Sequence, residues 1–303
     1  MPAVLPASAA AAPPAAPVDA PRGKRGLTPY LLLAPGLIFL LVFFAVPTVQ
    51  LLAASMYDRT GSIETGYAQT FSLDNFGYAW NLYQPQIFRS LAYALICTVL
   101  CIVIGYPLAY AIALKGGRWK NLMLIAVIAP FFTSFLVRTF AWKAILADTG
   151  PLVSVLRAVH LLGPDGRLLA TPIAVIAGLV YNFLPFTVLP LYTSLDKLDP
   201  RLLEASADLA HGPVRTFLRV TLPLTMPGIV AGTLLTFVPA TGDYVNSQLL
   251  GNTNTTMIGN VIQSRLLVVK DLPVGSALSV VLMVAILVLV MLYLRKTDTD
   301  EVV

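Results

Sequence analysis

The chain has 303 residues, of which 57% are hydrophobic and only 12% are charged, and its mean hydropathy is +0.79. Ordinary soluble domains carry roughly 25% charged residues, so this composition excludes an ordinary soluble protein. The formal net charge of +5 gives no reason to invoke a nucleic-acid partner, because the basic residues are placed as in a membrane protein.

The chain begins with an Ala- and Pro-rich segment, residues 1–26. No basic residue precedes Arg22, and Pro13, Pro14 and Pro17 interrupt the apolar stretch, whereas a secretory signal needs a positive start and an unbroken apolar core. We therefore expect residues 1–26 to be a disordered cytoplasmic tail, with a second cytoplasmic tail at 297–303.

Six stretches without charged residues follow: 26–57, 90–114, 121–137, 168–195, 220–242 and 272–294. Each can hold a span near the ~20 residues that cross a bilayer, and the third, which is short, is expected to extend past Arg138 toward Trp142. Backbone polar groups must be satisfied internally in lipid, so the spans should be helices, and their prolines predict kinks. The sequence predicts an all-α membrane protein whose residues 27–296 form six transmembrane helices.

The distribution of basic residues predicts the orientation of these spans. Twelve of the 20 Lys and Arg residues fall on one side: Arg22, Lys24, Arg25, Lys115, Arg118, Lys120, Lys197, Arg201, Arg215, Arg219, Arg295 and Lys296. Positively charged loops stay in the cytoplasm, so both termini and the loop between the fourth and fifth spans are expected there.

The sequence lacks the motifs of several enzyme classes. It has no phosphate-binding G-x-x-x-x-G-K-[ST], no H-E-x-x-H and no G-x-S-x-G, so we expect no catalytic residue, no cofactor and no ATP hydrolysis by this chain. Cys97 and Cys101 share a helical face, but no further Cys or nearby His completes a metal site, and packing is the better interpretation. The six uncharged stretches also lack the ionisable residues of a proton relay. This favours a protein whose energy source is supplied from outside the chain.

The loop at 199–223 is polar yet patterned as a helix. Asp199 can cap the first amides, Pro200 suits the first helical position, and Gly212 with Pro213 is expected to stop the helix. Apolar positions at helical spacing are expected on one face (Leu202, Leu203, Ser206, Leu209 and Ala210) and polar ones on the other (Arg201, Glu204, Asp208 and His211). From the pattern alone, such a helix could transmit a push to the spans or lie passively among lipid headgroups.

This loop resembles the EAA loop of ABC importer permeases. Glu204, Ala205 and Ser206 stand where that family has E-A-A, and Val220, Leu222 and Pro223 match its I-x-L-P at the same distance. Two positions depart: Ser206 replaces the second Ala, and Ala210 stands where the family has Gly. The resemblance implies a coupling helix that binds a cytoplasmic ATPase through Arg201, Leu202, Leu203, Glu204, Ala205, Ser206, Asp208, Leu209 and Gly212.

The resemblance extends to the permeases of spermidine/putrescine-type importers through the segments 130–134, 138–142, 178–182, 184–186, 242–245, 249–251 and 257–260. It implies a type I ABC importer-like fold in a bacterial inner membrane. The implied partners are a dimer of ATPase subunits, a second, different permease subunit, an extracytoplasmic substrate-binding protein and the surrounding lipid. The implied substrate is a polyamine such as spermidine or putrescine, with another small solute as the alternative.

Carboxylates and the faces of aromatic rings are the groups that bind a polyamine cation. The candidate contacts are Asp243, Tyr244, Tyr181, Asn182 and Trp142, for which a helix cap (Asp243), bundle packing (Tyr181) and anchoring at the membrane interface (Trp142) remain alternatives. Two other classes of protein stay open from the residues alone. One is a proton- or sodium-driven carrier, and the other is a membrane scaffold that moves no solute.

Overall fold

The computed structural model describes residues 28–209 and 212–296. The predicted tails, 1–26 and 297–303, and the positions Ala210 and His211 lie outside these residues. By their internal contacts the described residues fall into two units, the first ending at Thr48 and the second beginning at Val49.

The first unit contains α1 (Thr28–Leu40) and a π-helical turn (Leu41–Ala45), and α2 (Val46–Ala54) continues into the second unit. The second unit has two long helices before the predicted coupling loop, α3 (Asp74–Tyr110) and α7 (Pro172–Asp196), and between them lie α4 (Lys120–Ile128), α5 (Phe135–Leu146) and α6 (Pro151–Ala158). The later helices are α8 (Pro200–Asp208), α9 (Pro213–Thr216), α10 (Leu222–Leu224), α11 (Met226–Thr241), α12 (Val245–Leu250), α13 (Ile258–Gln263) and α14 (Leu272–Lys296).

Tighter and wider helical turns join several of these helices. Turns of 3-10 helix occupy Gly117–Trp119, Ala129–Phe132 and Thr253–Thr255. Turns of π-helix occupy Ala111–Lys115, Phe217–Thr221 and Ser264–Val268. No β-strand occurs within the described ranges.

In the part of the chain that the structure describes, four helical segments are long and apolar enough to cross a membrane: Leu31–Ala54, Asp74–Lys115, Pro172–Asp196 and Leu272–Lys296. Two bent pairs of helices pass the same test when each pair counts as one span, Gly117–Phe132 with Phe135–Ala158 and Pro213–Leu224 with Met226–Thr241. Four unbroken and two broken spans make six, and the prediction of a six-span helical protein is confirmed.

The third span extends past Arg138 to Trp142, as predicted, but it does so through a break that was not predicted. The first limb stops before Thr133 and Ser134, and the limb that carries Trp142 turns by 95°. The Nη1 atom of Arg138 donates to the carbonyl of Pro130 at 3.1 Å across this break. A proline before a break and a side chain that satisfies a freed carbonyl are the conditions under which a membrane helix can be interrupted.

The core of the second unit lies where α3, α7 and α11 pack against one another. Cys97 and Cys101 are fully buried there, beside Val175 and Leu179, which supports their interpretation as packing residues. The hydroxyls of Thr187 and Thr236 meet at 2.6 Å between α7 and α11. Hydroxyl bonds of this kind contribute to helix association in lipid, where the hydrophobic effect between helices is weak.

Candidate functional site

The coupling segment, residues 199–223, begins with the helix that the sequence predicts. The Oδ1 atom of Asp199 accepts a hydrogen bond from the backbone N–H of Arg201 at 3.0 Å, and Pro200 is the first residue of α8. This is the side-chain capping and proline placement expected at a helix start. The predicted start of the helix is confirmed.

The two predicted faces of α8 differ only partly in their exposure to solvent. Arg201, Glu204 and Asp208 are exposed, in agreement with the predicted polar face. On the predicted apolar face, Ser206 is buried, Leu203 is half-buried, and Leu202 and Leu209 are 45% and 73% exposed. Within the predicted apolar face, Leu202 and Leu209 are therefore open to a partner, whereas Ser206 is covered by the chain itself. The exposed face therefore carries both apolar and charged groups.

The end of α8 also departs from the prediction. The helix ends at Asp208, and the backbone N–H of Leu209 closes its last turn on the carbonyl of Ala205 at 3.2 Å. Gly212 with Pro213, predicted to stop this helix, instead begins α9, with Gly212 as its cap residue. A proline fits the first position of a helix as readily as it ends one, and the sequence alone did not decide between the two.

The coupling segment is tied to itself and to the bundle, and the contacts continue to the bend of the fifth span. The hydroxyls of Ser206 and Thr216 lie 2.9 Å apart and join α8 to α9. The ring of Phe217 meets the ring of Tyr106 edge to face, with centroids 5.4 Å apart. The hydroxyl of Tyr106 lies 2.7 Å from the hydroxyl of Thr225, the residue at which the fifth span bends by 65°. Tyr106, Phe217 and Thr225 were absent from the predicted site, because Tyr106 lies more than a hundred residues earlier in the chain.

A polar cluster lies at the opposite end of α11. Asp243 is 8% exposed, and its Oδ1 atom accepts the backbone N–H of Asn246 at 2.8 Å, so it caps the start of α12. Asn182 on α7 donates from Nδ2 to Oδ1 of Asn246 at 3.1 Å and lies 3.5 Å from the hydroxyl of Thr139. Asp243, Asn182 and Asn246 thus belong to one buried cluster that joins the bundle to α12.

The aromatic candidates are divided between two places. The rings of Trp142 and Tyr181 meet edge to face at 5.3 Å and line an apolar groove of about 570 Å³ together with Ile96, Leu100 and Val180. Apolar surroundings favour packing for this pair over contact with a cation. Tyr244 is 41% exposed beside Asp243, and its carbonyl accepts from Asn260 Nδ2 at 2.8 Å.

A polar cavity of about 700 Å³ opens beside α12 and α13, and the sequence did not predict it as a unit. Its walls carry amides, hydroxyls and one cation, among them Tyr83, Ser247, Asn252, Asn260, Gln263 and Arg265. The charge of Arg265 is engaged, since its Nη1 atom lies 3.1 Å from Asp271 Oδ2 and its Nε atom donates to the hydroxyl of Tyr83 at 2.8 Å. The unusual density of Asn, Gln, Ser and Thr between residues 246 and 264 is the signal that could have found it.

Comparison with known proteins agrees with this architecture. A family model described as "Binding-protein-dependent transport system inner membrane component" matches residues 102–296. The chain belongs to this family. The spermidine/putrescine transport system permease protein PotB of Haemophilus influenzae is 40% identical over 258 residues, which cover 85% of this chain and 90% of that protein. PotB of Escherichia coli is 38% identical over 260 residues, covering 86% and 94%.

The fold has a solved counterpart. The crystal structure of a bacterial ABC transporter that imports the acidic polysaccharide alginate contains a chain with a TM-score of 0.66 and 19% identity, covering 90% of this chain and 96% of that one. A second structure of the alginate transporter, in complex with a periplasmic protein that holds an alginate pentasaccharide, gives a TM-score of 0.65 at 20% identity. The predicted type I ABC importer-like fold is confirmed.

Family membership decides the class of the molecule. The permease is a transport subunit of an ABC importer, not an enzyme, and it is a multi-pass protein of the inner membrane. The matching family is described as part of binding-protein-dependent transport systems. The ion-driven carrier and the scaffold, which the residues alone left open, are set aside.

Proposed function

We propose that the permease imports a polyamine, of the spermidine and putrescine class, into the cytoplasm by alternating access. The observation that carries the proposal is the 38–40% identity, over at least 85% of the chain, with permeases named for spermidine and putrescine transport. The alternative, another small solute, is kept because the fold is shared with an importer of an acidic polysaccharide.

In this proposal a separate cytoplasmic ATPase dimer binds the coupling segment. The exposed face of α8 carries Arg201, Glu204 and Asp208 beside the exposed Leu202 and Leu209. A helix that rests on the cytoplasmic leaflet meets anionic headgroups, which favour Lys and Arg and repel acids. Two acids among two exposed leucines therefore suit a groove on a protein better than a lipid surface. In the same proposal both termini lie in the cytoplasm with the coupling segment, which the concentration of Lys and Arg on that side supports.

A second permease subunit completes the membrane pathway, and an extracytoplasmic binding protein delivers the solute. ATP-driven closure of the ATPase dimer moves α8 and opens the pathway outward, and hydrolysis with product release reverses the motion. Each state must differ in its contacts with solute and partners, since a ligand shifts a conformational equilibrium only through its differential affinity.

The substrate contacts proposed on this subunit are Asp243 and Tyr244, an acid and an aromatic ring in sequence. Asn182 supports them by holding Asn246, whose N–H the Asp243 side chain caps. The polar groups of the neighbouring cavity are neutral amides and hydroxyls, apart from Arg265, whose charge is already engaged. Neutral groups bind a polycation weakly enough for release, as a transport pathway requires. Trp142 and Tyr181 contribute packing on the apolar side.

The test is uptake in proteoliposomes that contain the complex purified through a tag on this chain. Radiolabelled spermidine and putrescine are offered together with the binding protein, with and without ATP on the ATPase side. We expect uptake that requires both ATP and the binding protein. Uptake driven by an imposed proton gradient without ATP would contradict the mechanism, and ATP-dependent uptake of a different solute with no polyamine uptake would contradict the substrate.

A further inference from the structure

Tyr106 lies where the coupling segment meets the bend of the fifth span. Its side chain projects from α3 and is only 7% exposed. Its ring packs edge to face on Phe217, at an interplanar angle of 90°, and its hydroxyl reaches Thr225 at 2.7 Å. One side chain therefore contacts both the coupling segment and the residue at which the span changes direction.

The direction of the hydrogen bond follows from the contacts of Thr225. The Oγ1 atom of Thr225 lies 2.8 Å from the carbonyl of Thr221 and 3.2 Å from that of Leu222, and a carbonyl can only accept. A hydroxyl has a single hydrogen, so Thr225 donates to the backbone and accepts from Tyr106. A threonine that donates to the carbonyl four residues earlier tends to bend its helix, and the bend of 65° lies at this residue.

The other end of this contact chain is α8. The hydroxyl of Ser206 on α8 lies 2.9 Å from that of Thr216, and Thr216 is followed directly by Phe217. The helix that carries Tyr106 is itself held firmly, because Gly105 allows a close approach to α7, where an added Cβ would lie 3.2 Å from Val188. Tyr106 thus belongs to the fixed bundle and contacts both the coupling segment and the bend at Thr225.

We propose that Tyr106 is a positioning residue that makes the angle of the bend at Thr225 depend on the position of α8. This inference rests on the proposed function, since it needs an ATPase that moves α8. A displaced α8 carries Thr216 and Phe217 with it, and the ring of Tyr106 must then reorient and withdraw its hydrogen bond from Thr225. The bend is released from the bundle only when the coupling segment moves, so solute passage is tied to ATP turnover.

The experiment measures spermidine taken up per ATP hydrolysed by the full complex in proteoliposomes. Tyr106→Phe keeps the ring and removes the hydroxyl, and Thr225→Val keeps the shape and removes the acceptor. We expect each to lower the ratio by about two- to tenfold, the factor by which loss of one buried hydrogen bond shifts a two-state equilibrium. The double variant should be no worse than the more affected single variant, because both remove the same bond. Phe217→Leu tests the ring contact without altering either hydroxyl.

Two control variants separate positioning from stability. Thr225→Ser retains the hydroxyl and should keep the wild-type ratio. Thr236→Val removes a hydroxyl bond to Thr187 of the same kind, also fully buried and in the same span, but remote from the coupling segment. It should lower the unfolding temperature in detergent as much as Tyr106→Phe does, since each removes one hydroxyl–hydroxyl bond, with no change in the ratio of uptake to ATP hydrolysed.

The experiment distinguishes failure of the positioning role from failure of the proposed function. A wild-type complex without ATP-dependent uptake of any solute would overturn the proposed function and the positioning role together. A coupled wild type whose ratio is unchanged in Tyr106→Phe, Thr225→Val and Phe217→Leu would overturn the positioning role alone. Equal loss of the ratio in Thr236→Val would also overturn it, because any buried hydroxyl bond would then have the same effect.

Discussion

The Oδ1 atom of Asp243 accepts a hydrogen bond from the backbone N–H of Asn246 at 2.8 Å. The buried carboxylate thus caps the first turn of α12. Asp243, which the sequence offers as a contact for a cation, therefore also stabilises the local fold. The two roles call for different chemistry, since a cap needs an acceptor oxygen and a polyamine needs a negative charge.

Substitution at position 243 separates these roles. Asp243→Asn keeps the acceptor and removes the charge, so we expect unchanged thermal stability in detergent but weaker polyamine uptake, with a higher half-saturation concentration. Asp243→Ala removes both and should also cost about 0.5–2 kcal/mol of stability, the usual effect of losing a cap. Uptake by Asp243→Asn with wild-type concentration dependence would contradict the substrate role and leave only the cap.

Charge reversal on α8 tests the proposed ATPase contact. Glu204 is exposed, so Glu204→Lys should leave the fold intact and reduce co-purification of the ATPase subunits by about tenfold or more, as expected when a charge at a complementary interface is reversed. Glu64→Lys is the matched control, because Glu64 is an equally exposed acid in the loop between the first two spans. Full recovery of the ATPase with Glu204→Lys would argue that α8 lies on lipid.

The orientation can be read by chemical labelling. The chain contains only two cysteines, Cys97 and Cys101, both buried, and replacing them with Ala provides a background without thiols. In intact spheroplasts, we expect a membrane-impermeant maleimide to label Glu64→Cys at once and Asp208→Cys only after permeabilisation. The reverse pattern would place the termini and the coupling segment outside the cell.

Close packing of α7 on α12 depends on Gly178. A Cβ added there would collide with Leu250 and lie 2.7 Å from the Oδ1 atom of Asn246. We expect Gly178→Ala to destabilise the permease by about 1–3 kcal/mol, the usual cost of overpacking, and to disturb uptake through displacement of Asp243. Gly77→Ala, where nothing lies within 4 Å, should instead stabilise α3 by about 0.5–1 kcal/mol. Thermal unfolding in detergent compares the two, and equal effects would contradict the packing argument.

The sequence predicted most of what the bilayer itself imposes. Stretches without charged residues marked the spans, because a helix of about 20 apolar residues crosses lipid with its backbone hydrogen bonds satisfied internally. The cap at Asp199 and the polar face of α8 were equally visible, because capping and helical periodicity are local. The search for uncharged stretches missed the first part of α3. This helix begins at Asp74, whereas the uncharged stretch begins at residue 90.

Contacts between distant parts of the chain were not predictable from one sequence. Nothing local distinguishes Tyr106 from the other aromatic residues of the spans, and its bond to Thr225 exists only because α3 and the fifth span meet. The break at Thr133 and Ser134 and the early end of α8 were missed for a related reason. A proline near such a position signals a boundary but does not say which side of it remains helical.

The π-helical turn at Phe217–Thr221 has one further consequence. The N–H of Leu222 donates to the carbonyl of Phe217, five residues earlier, so this turn accommodates one residue more than regular α-helical winding would. Each residue of an α-helix advances the chain by about 100° around its axis, and the wide turn absorbs the extra residue without passing that rotation on to its flanks. Removing a single residue here would therefore let the turn close as regular α-helix and leave the segment before it facing the bundle as it does now. In aligned relatives, a gap of one residue at this place would mark permeases that lack the wide turn yet present the same side of the coupling helix to their ATPase.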